Sequence, residues 1–192
     1  MTLVRFPIDI AFKGDRTYLQ SADIFDSIIA NTGASRNLKL QFRRILSHKI
    51  EAVDASAVDQ PEACPARFTG EGDNGAFDLL IVDDPTTEIA ARVPYDEPRV
   101  IRDSHIEGSQ ISSQDGQDAS VMERVVALNK HLIHSTVKPG KKLLFSSANL
   151  ISLPARTAHL TVRLESRLGV RLFKSSIHVG ADRVGEIIFY GV

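Results

Sequence analysis

Asp103 and His105 lie two residues apart in "RDSHIEG". On an extended strand that spacing turns both side chains to one face, where a carboxylate and an imidazole can share a proton or a water. A surface or loop position would satisfy the same spacing without chemistry. Glu123 falls in the first turns of the most apolar helical stretch, where the helix dipole favours a carboxylate for structural reasons alone. Nearer the start, "KGDRTYLQ" sets Asp15, Arg16 and Tyr18 just before a second helical stretch. Arg16 can hold a phosphate or carboxylate through its forked N–H groups, and Tyr18 can donate to a carbonyl. A tight turn with Tyr18 packed beneath the helix is an equal reading, and Asp23 and Asp26 read as cap and surface.

Other patterns offer less. His131 and His134 form an H-x-x-H spacing, but no glutamate stands between them as in H-E-x-x-H and no third ligand is evident, so no metal site is expected. His48, His159 and His178 stand alone on strand-like stretches and read as packing or surface residues. The single cysteine, Cys64, excludes an internal disulfide and any Cys-rich metal site, and its place in "PEACPAR" reads as a loop. G-x-S-x-G, Walker A and G-x-G-x-x-G are all missing, which leaves serine-hydrolase, nucleotide-hydrolase and Rossmann readings without support.

Composition narrows the class. The chain has 192 residues, 43% hydrophobic and 24% charged, with 23 basic and 24 acidic side chains and a net charge of −1. That length suits one large domain or two small ones. A balanced charge gives no footprint for nucleic acid, and the basic clusters at 42–44 and 138–142 read as solvated surface. No window approaches eighteen apolar residues and the N-terminus has no long apolar run, so neither a membrane span nor a signal peptide is expected, and a cytoplasmic location is.

These residues need elements to position them. "LVRFPIDIAF" alternates as a strand, and "SADIFDSIIANTG" reads as a helix capped by Ser21 or Asp23 and stopped by Gly33. "NLKLQFRRILSHKIEAV" reads as a strand, and "GAFDLLIV" with "TEIAARV" as a hairpin about the turn-forming "DDPT". "RVIRDSHIEGSQIS" reads as extended. "ASVMERVVALNKHLIHSTV" is the clearest helix, with Val121, Val125, Leu128 and Leu132 on one stripe, a cap at Asp118 or Ser120 and "KPG" to end it. "KKLLFSSANLISLP", "HLTVRLES" and the hairpin in "RLGVRLFKSSIHVGADRVGEIIFYGV" complete it as strands. The halves then run in one order. A helix leads to "KLQF" or "KLLF", then to a hairpin holding Phe77 and Ile81 or Phe173 and Ile177, then to Glu88-Ile89 or Glu186-Ile187. That points to a duplication, with repeats at 1–98 and 99–192.

A largely apolar helix followed by antiparallel strands must be enclosed by them. The arrangement resembles the hotdog fold of acyl-CoA and acyl-ACP thioesterases and dehydratases. The resemblance lies best in "ISLPARTAHLTVRLESRLGVRLFKSSIHVGADRVGEIIF" and reaches the N-terminal half only through the repeat. It implies an α+β fold of two hotdog-like units, each a central helix wrapped by an antiparallel sheet, with an acyl chain in a tunnel between units. It implies a thioester hydrolase whose helix N-terminal amides face the developing oxyanion. Asp103, His105 and Glu123 would be catalytic, and Asp15, Arg16 and Tyr18 would bind substrate. The partner would be an acyl thioester on CoA or acyl carrier protein, with no cofactor, no metal, no nucleic acid and no membrane, and a homodimer left open. A hotdog protein that only binds thioesters or serves in assembly stays as the alternative, as does a dehydratase. The run "HxxxxGxxPG" of one dehydratase group is missing. Activity itself is left open, and so is a third reading, an α+β protein with unrelated halves.

Overall fold

The computed structural model describes residues 4–113, 118–137 and 142–192. Most of the basic run at 138–142, and the "KPG" expected to end the second long helix, lie outside the described residues. The chain divides into two compact units, Met1–Tyr95 and Asp96–Val192.

The first unit comprises β1 (Arg5–Ile8), β2 (Phe12–Lys13), α1 (Ser21–Thr32), β3 (Arg36–Phe42), β4 (His48–Asp54), β5 (Ala66–Gly72), β6 (Gly75–Glu88) and β7 (Arg92–Val93). Its sheet runs β1-β4-β6-β5-β3 with every neighbouring pair antiparallel. Four reversals leave β1 and β3, the first and last strands of this order, pointing the same way, so the chain between them must cross a sheet face. A connection of that kind is usually a helix, and α1 supplies it. Ala22, Ile24, Phe25 and Ile28 are its buried side, and Phe25 meets Phe68 of β5 edge-to-face at 6.0 Å. Gly33 stops α1 as expected, at φ 67 with its N–H bonded to Ile29 O. The cap differs: Gln20 occupies that position, not Ser21 or Asp23.

Two further expectations for this half need correction. "NLKLQFRRILSHKIEAV" is two strands, β3 and β4, split at 43–47. "DDPT" is not a hairpin turn: β6 runs through it. Lys49 pairs with Asp84 and His48 with Glu88, so residues 85–87 form a bulge opposite one step of β4. Asp84 accepts bonds from Thr86 N, Thr86 Oγ1 and Thr87 Oγ1, which pull its carboxyl down to about 2. The turn chemistry is real but is spent inside a strand. The hairpin lies earlier, at Gly72–Gly75 between β5 and β6.

The second unit comprises α2 (Glu97–Val100), β8 (Ser104–Glu107), β9 (Gln110–Ser113), α3 (Val121–Thr136), β10 (Leu143–Ser152), β11 (Leu160–Leu168), β12 (Leu172–Val179) and β13 (Asp182–Gly191). "RVIRDSHIEGSQIS" is thus no single extended run. Asp96 caps a helical turn before the β8–β9 hairpin. The sheet order is β10-β13-β12-β11-β9-β8, again antiparallel throughout. β9 and β10 point the same way and α3 spans between them, packed on β9, β11 and β12. Ser120 caps it, accepting from Glu123 N at 3.1 Å. Arg124, fully buried, donates to the carbonyls of Arg156 and Ala158 at 2.8 and 2.9 Å and pins the segment before β11.

The strand orders of the units are not the same. In the second, β11, β12 and β13 follow one another across the sheet. In the first, the 55–65 connection carries the chain past one position, and β6 returns to fill it between β4 and β5. The residue matches drawn from sequence therefore fail in detail. Phe173 and Ile177 lie on β12 with Ile187 on β13, whereas Phe77, Ile81 and Glu88 all lie on β6.

Candidate functional site

The start of α1 differs from the start of α3. A helix's first N–H groups have no partner within the helix, and a cap residue normally takes one of them. Ser120 does so for α3. Gln20 makes no such side-chain bond for α1, although its backbone is extended as a cap requires, at φ −82 and ψ 135. Gln20 is also only 9% exposed, and its Nε2 is buried without a hydrogen-bond partner. An unpaired buried amide donor costs on the order of 1–3 kcal/mol, which the fold bears at the positive end of a helix dipole.

The segment leading to this point is tied down on both sides. β2 pairs in parallel with β7, Phe12 N and Gly14 N donate to Ala91 O and Val93 O, and Leu19 N donates to Leu46 O at 2.8 Å. Gly14 turns the chain at φ +56. Arg92 donates to the carbonyls of Gly14 and Arg16 and stacks over Phe12 at 5.4 Å. Lys13 Nζ and the Arg16 guanidinium both approach the Tyr95 ring, at 5.0 and 4.8 Å. Lys13 also pairs with Asp23 at 2.7 Å, with both side chains more than four-fifths buried. Two cations, an aromatic ring, a carboxylate and an unpaired amide thus belong to one stretch of the first unit.

The expected residues fall unequally. Arg16 and Tyr18 are half-buried in this stretch, while Asp15 is exposed in its turn. Asp103 is exposed in the turn before β8, and His105 is exposed on β8 opposite Ser112. They are not on one strand face, because Asp103 is not on the strand. Glu123 is half-buried in the first turn of α3, where Ser120 already caps its N–H. Asp118 pairs with Arg99. His131 and His134 share α3, and among the described residues no group of three His, Cys, Asp or Glu could hold a metal.

Sequence reasoning missed Gln20. The available signal was its type: Gln directly before a helical run, where Ser, Thr, Asp or Asn is the usual choice. It also passed over a polar chain on the second unit. Ser176 Oγ donates to Glu165 Oε1 at 2.5 Å, and His178 Nε2 lies 2.9 Å from Ser176 Oγ. Ser176 is fully buried, which gives no approach to a substrate carbon. Burial, then the Arg163 guanidinium, hold the His178 imidazole below its ordinary value near 6.5.

No protein-family model matches the chain. No curated protein matches it either. Among solved structures, similar chains are thioesterases and dehydratase domains of the hotdog fold. The dehydratase domain of RzxB from Pseudomonas fluorescens is 11% identical, with 96% of this chain and 93% of that one covered at a TM-score of 0.45. A trans-AT PKS dehydratase domain from Brevibacillus brevis is 9% identical over 99% and 93%, at 0.49. The tesB protein of Mycobacterium avium subs paratuberculosis is 12% identical over 98% and 93%, at 0.45. Values this low assign no activity to the chain.

Proposed function

We propose that this protein is a hotdog-type acyl-thioester hydrolase, two such units in one chain, with the thioester carbonyl received at the start of α1. The observation that carries the reading is the buried, unpaired Gln20 amide beside a helix N-terminus that lacks a side-chain cap. Donors fixed in advance where an oxyanion forms need no reorganisation when the charge develops. Gln20 Nε2–H and the first-turn N–H groups would donate to that oxygen. The Lys13, Arg16 and Tyr95 wall suits the phosphates of a CoA carrier. Water adds to the carbonyl carbon and loses a proton to a carboxylate. The carbon–sulfur bond then breaks, and the thiol leaves carrying a proton. Asp23, in the same helical turn as Gln20, is the carboxylate assigned that role. Glu123 and the Asp103–His105 pair are the alternatives on the second unit.

A specific observation favours binding without turnover as a second reading. Lys13 engages Asp23, and Asp103 and His105 stand in water. Free-thiol release from a panel of acyl-CoAs separates the two. Hydrolysis predicts turnover that falls roughly a hundredfold in Gln20→Leu, as when one oxyanion donor is removed, and falls again in Asp23→Asn. Measurable acyl-CoA binding with no turnover at any chain length selects the binder. Neither turnover nor binding would remove the thioester reading.

A further inference from the structure

Asp83 is a carboxylate in a row of core residues. Phe68 of β5 lies opposite Leu79 of β6 and meets Phe25 of α1, so Leu79 is on the side of the sheet that α1 covers. Side chains alternate along a strand, which puts Ile81 and Asp83 on that side as well. Their partners on β4, Ala52 and Ile50, are buried. The Asp83 side chain is only 9% exposed. Taking a carboxylate out of water is costly unless it is paired and hydrogen-bonded. Arg44 supplies the pair, with Nη1 and Nη2 donating to the two carboxylate oxygens at 2.8 and 2.7 Å.

What this pair ties down is not a strand. Arg5–Glu51 and Arg67–Asp78 are also two-pronged, but they link neighbouring strands, β1 to β4 and β5 to β6, from more exposed positions. Arg44 belongs to the 43–47 connection between β3 and β4. Arg43 N and Arg44 N donate to Pro65 O, and Arg43 Nη1 donates to the carbonyls of Pro61 and Cys64. The connection is thus fixed both to β6 and to the 61–65 segment. Its buried Leu46 presents the carbonyl that accepts from Leu19 N at 2.8 Å. Leu19 directly precedes Gln20. We infer that Arg44 and Asp83 are positioning residues for the Gln20 amide, acting through the Leu46–Leu19 bond and touching no substrate themselves. The inference rests on the thioester reading of the α1 start and deepens it. The oxyanion donor is held only as firmly as this connection holds Leu19, and a small misplacement of a reacting group is enough to lose its effect.

The test follows an acyl-CoA ketone analogue, with CH2 in place of sulfur and carbon-13 at its carbonyl, bound to the full chain. In Arg44→Met the downfield carbonyl shift given by the wild-type chain is expected to shrink while the analogue still binds. The Leu19 N–H is expected to exchange with solvent at least roughly tenfold faster, because its local opening becomes easier. Asp83→Asn keeps the side chain's shape, moves both readouts the same way, and serves if Arg44→Met does not fold. Arg67→Met breaks a two-pronged pair of the same unit away from the connection and leaves both readouts as in the wild type. An unchanged carbonyl shift in Arg44→Met and Asp83→Asn overturns the positioning role and leaves the thioester reading standing. The same loss in Arg67→Met does so too, since it would mean general loosening. No shift in the wild-type chain removes the thioester reading, and this inference with it.

Discussion

Gln20 is where stability and function pull apart. A buried amide nitrogen without a partner is a cost to the fold, and Leu has nearly its volume without the polar atoms. Gln20→Leu should therefore raise unfolding stability by about 1 kcal/mol in denaturant titration while lowering thioester handling. A loss of stability would mean that the amide serves the fold. His178 gives a second prediction at this scale. Its folded-state value lies below the unfolded one, so its contribution is present above about pH 6.5 and is lost as pH falls toward the lower folded value. Arg163 and Arg183 oppose a proton there, and Glu165 and the Ala181 backbone favour it. Unfolding curves at pH 7.5 and 5.5 should show the wild-type chain losing stability and His178→Gln losing less. An identical pH response in both would contradict this.

Elements are set by where a backbone must come close and where a helix must begin. Gly185 of β13 faces Ile177 and Leu150 in the sheet, and a Cβ there would fall 2.2 Å from Asn149 O. Backbone cannot give way as a side-chain tip can, so Gly185→Ala should cost about 1–3 kcal/mol. Ser120→Ala should cost about 1 kcal/mol through α3's lost cap. Denaturant titration of both variants checks the order, with the glycine change the larger. If Gly185→Ala were neutral, the approach of β13 to β10 would have to be looser than the register implies. Helices were the legible elements: the Ile24, Phe25 and Ile28 stripe and the Val121, Val125, Leu128 and Leu132 stripe lie buried where the spacing put them. Strand ends were not. "DDPT" carries every mark of a turn, yet β4 holds β6 through it. Pairing is a property of the neighbours, and local sequence cannot show it.

At the scale of the whole molecule, each unit has a helix crossing between two strands that run alike, β1 and β3 in the first and β9 and β10 in the second, with three antiparallel strands between them. The helix in each half was readable from its apolar stripe. The exchanged places of β5 and β6 were not, since the 55–65 connection reads as loop whichever position it leads to. The site was half legible for a similar reason. "KGDRTYLQ" pointed to the segment before α1, but charged and hydroxyl side chains drew attention past Gln20, whose meaning is its lack of a partner. Asp103 and His105 looked poised because a strand was assumed beneath both. The measurement that bears most directly on thioester recognition is the carbon-13 shift of a bound carbonyl. The probe is an acyl-CoA ketone analogue with CH2 in place of sulfur and carbon-13 at the carbonyl. A downfield shift on binding to the wild-type chain, lost in Gln20→Leu while the analogue still binds, is the expected result. The same shift in both proteins, or none in either, would contradict a carbonyl held at the start of α1.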